Sequence, residues 1–106
     1  EEFTMSSSRL ELHEKLVEAL GSRNVYFQPP KNIQMKYPAI VYSLSGIDPR
    51  HANDKVYLLK HAYDVTVIDK DPDSEIPDRI AHFPLCRFSR KFESDNLNQT
   101  VFKLYY

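Results

Sequence analysis

Four carboxylates at alternate positions, Asp69, Asp71, Asp73 and Glu75, come closest in this chain to the spacing of a chemical site. A calcium loop places oxygens at positions 1, 3 and 5 around a hard cation, and counting Asp69 as position 1 meets that part of the pattern. The remainder fails. Position 6 is Ser74 where the sharp turn needs glycine, and position 12 is Ile80 where a bidentate glutamate would close the shell. No metal site is expected. The carboxylates read instead as the end of a strand and the approach to a helix, whose dipole favours negative charge in its first turn.

The nucleophile and base candidates are equally isolated. His13, His51, His61 and His82 stand singly, without the paired spacing of zinc ligands. His51 and Asp54 can meet across a turn. His82 precedes the single cysteine, Cys86, by four residues, but Pro84 between them breaks the helix that would align a thiol with an imidazole. Cys86 therefore reads as a small apolar side chain. Asn98-Gln99-Thr100 matches the glycosylation triplet, but no secretory signal opens the chain and the triplet reads as a turn. Two glycines are too few for a glycine-rich phosphate cradle. No catalytic residue and no cofactor is expected, and the chain does not read as an enzyme.

Charge carries more information. Lys plus Arg is 14 and Asp plus Glu is 15, a formal charge of -1, without the basic excess of a dedicated nucleic-acid binder. The distribution is uneven: Asp69 to Asp78 holds five acids and one base, whereas Arg87, Arg90 and Lys91 cluster without an acid between Cys86 and Phe92. On a lone domain these are two solvated surfaces. In a head-to-tail assembly one copy's acidic patch can face its neighbour's basic one, which makes Asp71, Asp73, Glu75, Arg87, Arg90 and Lys91 candidate contact residues.

The elements that position these residues follow from periodicity. The length of 106 residues and mass of 12.4 kDa allow one core, and 42% hydrophobic with 27% charged residues is a globular balance, neither disordered nor membrane-spanning. One cysteine and no signal peptide point to synthesis in a reducing, intracellular compartment. Residues 1–5 read as an added leader ending in the start Met5, and residues 6–106 as the single domain. Ser8 and Glu11 form a capping box for a helix over about Arg9 to Leu20, with Leu12, Leu16, Val17 and Leu20 inward and Gly21 at its end. Val25 to Gln28 reads as a short edge strand stopped by Pro29 and Pro30. Ala39 to Leu44 reads as a strand buried on both faces, followed by a polar loop, Ser45 to Asp54, and a long strand, Lys55 to Asp69, returning as a hairpin.

Ser74 is expected to cap a second helix with Pro77 in its first turn and Ile76, Ile80 and Phe83 inward, ending at Pro84. Leu85 to Phe92 and Thr100 to Tyr106 then read as two strands joined by a turn, Glu93 to Gln99. The order is αβββαββ. It implies an α+β fold, a mostly antiparallel sheet covered by two helices, with a radius of gyration of about 13 Å and little interior for a buried active site.

Several phrases together resemble a known family. Val25-Tyr26-Phe27-Gln28-Pro29-Pro30, Tyr37-Pro38-Ala39-Ile40-Val41-Tyr42, Tyr63-Asp64-Val65-Thr66-Val67-Ile68-Asp69, and the ending Asp95-Asn96-Leu97 with Val101-Phe102-Lys103-Leu104-Tyr105-Tyr106 resemble the small neck and tail-completion proteins of tailed bacteriophages, the tail terminator group most closely. The resemblance spans about Leu10 to Tyr106 and consists of element order and strand phrases. It implies a non-enzymatic virion protein, made in the host cytoplasm, that forms a ring, typically of six copies. Its implied partners are itself, the tail tube protein and a head-completion or connector protein, with DNA passing through the lumen without specific binding and no membrane involved. Under that reading the loop Ser45 to Asp54, with Asp48, Arg50 and His51, is the candidate contact with the tube or a neighbouring subunit. The alternatives are a head-completion adaptor of the neck, a small intracellular enzyme with a site between subunits, and a regulatory module that binds through a sheet edge.

Overall fold

The structure, a computed structural model, describes the backbone of residues 2–52 and 55–106 and the side-chain surroundings of residues 9–46 and 61–106. Its elements run α1 (Glu2–Leu20), β1 (Val25–Phe27), β2 (Ala39–Ala52), β3 (Lys55–Asp69), α2 (Ile76–Ala81), β4 (Cys86–Ser94) and β5 (Leu97–Tyr105). The α+β class and the order αβββαββ are as expected from the sequence. One five-stranded sheet forms, in the order β1-β2-β3-β5-β4. Every neighbouring pair is antiparallel except β1 with β2, so the short strand takes its expected edge but runs parallel to its neighbour.

Both helices cover the same face of the sheet. Leu12, Leu16 and Leu20 of α1 and Ile76 and Ile80 of α2 pack with Val25, Ile40, Tyr42, Tyr63, Val65, Val67, Phe102 and Leu104 in one buried cluster. Tyr63, Val65 and Val67 alternate along β3, so the period of two puts one side of that strand in the core. Leu12, Leu16 and Leu20 recur every four residues, which places them on one stripe of α1. Gly21 closes α1 with φ 87, its N–H donating to the Val17 carbonyl at 2.8 Å, the left-handed ending that glycine adopts without a Cβ clash. The Arg79 guanidinium of α2 donates to the Ala19 carbonyl at 3.0 Å, satisfying an acceptor that the end of α1 leaves open.

Besides α2, which ends at Ala81 ahead of Pro84, four boundaries differ from the sequence reading. First, α1 begins at Glu2, so Ser8 lies inside the helix and not at its N-terminal boundary. No glycine or proline interrupts residues 2–8, and extending a formed helix costs far less than starting one. Second, Ser45 to Ala52 is strand, not loop: β2 stays paired with β3 out to Ala52↔Lys55, with register shifts at Leu44/Gly46 and Arg50/His51. Bulges absorb extra residues without ending a ladder, and proline is tolerated in an outer strand where its nitrogen points away from the partner. The paired ribbon accounts for a radius of gyration of 14.6 Å and extents of 48 × 24 × 23 Å, longer than a compact domain of this length. Leu44 is also exposed, so burial on both faces holds only for the start of β2, at Ala39 and Ile40.

Third, the β4–β5 turn is two residues, Asp95 and Asn96, with φ 54 and 63, and Asn98-Gln99-Thr100 lies in β5. A two-residue hairpin of this hand needs positive φ at both positions, which Asp and Asn tolerate better than most residues. Asn96→Val is expected to lower stability by about 1–2 kcal/mol, the cost of that conformation for a side chain with a bulky Cβ. Asn96→Gly, free of the penalty, should unfold at an unchanged or higher denaturant midpoint. Fourth, the N-cap of α2 is Glu75, without a side-chain cap, while the Ser74 hydroxyl accepts from the Ile76 N–H at 3.2 Å.

Candidate functional site

Among the described residues, the most exposed regular element is β4. It is an edge strand in which only Cys86 is partly covered, and Phe88 and Phe92 are 62% and 40% exposed. Register decides which of its side chains share a face. Phe88 lies opposite Phe102, a core residue on the helix-covered side, and their rings meet edge-on at 6.1 Å. Between Phe88 and Arg90 the register shifts by one residue. Strict alternation would put Arg87 and Lys91 together with Arg90 opposite; the bulge reverses this, pairing Arg90 with Val101 and Lys91 with Thr100. Arg87, Arg90 and Phe92 therefore share the face that no helix covers, and Lys91 joins Phe88 on the helix side.

Charge separates along the same division. On the helix side, a groove of about 280 Å³ runs between α2 and the β4–β5 hairpin, floored by Val67 and Phe102 and edged by Asp71, Asp78 and Lys91. Within one chain, then, Lys91 already shares a groove with acids of the Asp69–Asp78 segment. On the helix-free face Lys103 bonds Asp64 at 2.9 Å and donates to the Ser45 hydroxyl at 3.1 Å, so its charge is compensated. Among the described residues no carboxylate forms an ion pair with Arg87 or Arg90. Arg90 lies over the Phe92 ring, 5.7 Å from its centroid. The basic cluster of the sequence thus becomes two surfaces, Lys91 on the helix side in a groove with the chain's own acids and Arg87 with Arg90 on the open face.

The acidic run is organised by its own backbone. Asp69 accepts from the Asp71 N–H at 3.0 Å and Asp71 from the Asp73 N–H at 2.9 Å. These are the local turns that Asp side chains favour, and they spread the carboxylates along the chain instead of converging them. Among the described residues no group of three His, Cys, Asp or Glu side chains is placed to hold a metal ion. Asp71, Asp73 and Glu75 are exposed, Glu75 with a loose contact to Arg79 at 3.8 Å.

The other candidates do not assemble. His82 Nδ1 is 2.7 Å from the Asp78 carbonyl, to which it donates, and burial pushes the Cys86 thiol up, away from the thiolate form. Asp48, Arg50 and His51 belong to strand β2 opposite Lys60, Leu58 and Val56, not to a loop; their side chains, and Asp54, lie outside the described residues.

A polar cluster that no sequence motif signals joins α1 to the sheet. The hydroxyl of Tyr42, which is fully buried, accepts from Arg9 at 3.3 Å and lies 2.8 Å from His13 Nδ1; Arg9 also covers the Phe27 ring at 4.4 Å. With Arg9 donating, the hydroxyl still has its own proton to give, and a neutral His13 can accept it. Burial is the largest influence and holds His13 below its ordinary value of 6.5, opposed by Glu14 and aided by Arg9 and Arg23. A folded value below the unfolded one means that the stabilisation is present above pH 6.5 and is lost as pH falls through the folded value. Thermal unfolding temperatures should therefore drop on acidification below about pH 6.5, and His13→Gln should flatten part of that drop. An equal pH dependence in the variant would remove His13 as a cause.

Compared with protein-family models, curated proteins and solved structures, the chain gives no match. No helix among the described residues is long and apolar enough to cross a membrane. The contact-residue reading therefore rests on surface chemistry and the strand phrases. Every one of those phrases contributes at least part of a strand of the single sheet.

Proposed function

We propose that this chain is a structural protein of a tailed-phage virion, a tail terminator that forms a ring, of six copies by the resemblance, on the end of the tail tube. The ring ends tube growth and presents a surface to the head connector. The observation that carries the reading is β4, a nine-residue edge strand whose uncompensated Arg87 and Arg90 lie with the exposed Phe92 on its open face, a surface suited to a neighbouring protein. Aromatic and arginine side chains are the groups enriched where proteins meet. A second feature favours assembly. β5 and Tyr106 flank β3 only as far as His61, so among the described residues no third strand pairs with the β2–β3 ribbon from Asp48↔Lys60 to Ala52↔Lys55. A two-stranded ribbon is marginal by itself, and contact with another copy or with the tube would support it.

Electron microscopy of tails assembled without this protein tests the reading. Overlong tubes are the expected result. Tubes of normal length beside unjoined heads would replace termination with the adaptor role, and normal joined particles would end both.

A further inference from the structure

The two charged surfaces lie on opposite faces of the sheet, and this limits how they can meet. The acidic segment leads from β3 into α2, and Asp71 and Asp78 edge the groove on the helix side. Arg87 and Arg90 lie on the helix-free face, brought together there by the register shift after Phe88. Within a chain the sheet separates them. Between chains they can touch if the helix side of one copy packs on the open face of the next, a heterologous contact of the kind that generates rings.

We propose that the Asp71–Glu75 turn of one copy docks on Arg87 and Arg90 of its neighbour, with Phe92 as the apolar part of the contact. The inference rests on the ring reading and gives it a specific interface. Three observations favour a second copy as the occupant. The two guanidiniums have no carboxylate partner among the described residues, whereas Lys103 beside them is held by Asp64. Asp73 spends only its backbone N–H on the turn, and the Glu75 side chain is 82% exposed, so both carboxylates are available to planar guanidinium forks. Pairing two β4 faces with each other would instead set arginine against arginine, which disfavours a symmetric contact. Lys91, on the other face and already beside acids, takes no part.

Charge exchange tests this. In low-salt sedimentation velocity over a concentration series of the full chain, wild type should associate reversibly. Arg87→Glu with Arg90→Glu should weaken association about tenfold or more, and so should Asp71→Lys with Asp73→Lys. Placing all four changes in one chain restores opposite charges across the same contact and should recover association. Lys91→Glu should leave it unchanged. In a second measurement, Arg87→Lys with Arg90→Lys keeps the charge and supplies amines for carbodiimide coupling. Mass spectrometry of mixed isotope-labelled copies should find amide links from those positions to Asp71, Asp73 or Glu75.

Failure of the four-change chain to associate, links confined to other positions, or a wild-type chain that stays monomeric throughout the series would overturn the interface. A nucleic-acid role for the arginines would show as salt-sensitive binding of a single-stranded oligonucleotide, lost in the arginine variants and not recovered in the four-change chain; that outcome also overturns it. The ring reading is judged separately by tube length in the microscope, so normal termination by the Arg87→Glu, Arg90→Glu protein would remove this interface and leave the ring standing.

Discussion

Phe102→Ala is expected to lower the unfolding free energy by about 3–5 kcal/mol, a large share of the roughly 5–15 kcal/mol available to a domain. Phe102 is 2% exposed and sits on β5 with Val65 of β3 on one side and Phe88 of β4 on the other. Truncation would remove the transfer energy of the ring and leave a void that neighbouring strands, fixed by their ladders, cannot close. The melting temperature should fall by about 4–8 °C for each kcal/mol lost in a chain near this size. Phe88→Ala is the matched control. It deletes the same number of atoms from the facing position of β4, but at 62% exposure it should cost no more than about 1.5 kcal/mol, the worth of the edge-on ring pair. Equal losses for the two variants, measured by chemical denaturation, would mean that β4 is buried against something in solution.

Ile80→Ala should cost about 2–5 kcal/mol and act more locally. A helix of six residues is far too short to persist without tertiary support, and α2 is held by Ile76 and Ile80, the latter fully buried. Shortening Ile80 weakens the contact that keeps α2 on the sheet and, with it, the Arg79 bond to the end of α1. Amide exchange should rise most at His82 and Phe83, whose N–H groups bond the Arg79 and Ile80 carbonyls, while the centre of β3 stays protected. Uniform acceleration across the sheet would show instead that α2 and the strands unfold as one unit. Because the acidic turn leads directly into α2, the same variant should also weaken association between copies.

Much of the architecture was legible locally. Leu12, Leu16 and Leu20 at a spacing of four, the alternation through Tyr63, Val65 and Val67, and the prolines after Phe27 each express a backbone period or a missing donor. Such signals survive without knowledge of the rest of the chain. The class, the order of elements and the edge position of β1 followed from them. Boundaries were less legible where pairing overrides composition. Ser45 to Ala52 looks like a loop because glycine, proline and charge dominate it, yet a β3 strand of fifteen residues supplies a partner along its length. Asp95 and Asn96 took the whole β4–β5 reversal because two residues with positive φ suffice when the flanking strands pair at once. The Arg9–His13–Tyr42 cluster gave no signal at all, since its members lie 29 and 33 positions apart in the pairs that matter.

The interaction surface divides in the same way. The amino-acid order by itself determined that acids gather between Asp69 and Asp78 and bases between Arg87 and Lys91, because net charge over a segment depends on composition alone. Only the tertiary structure decided that Arg87 and Arg90 share an open face while Lys91 turns toward the chain's own acids. That outcome rests on one extra residue in the β4 ladder, and a shift of one residue reverses the face of every side chain beyond it.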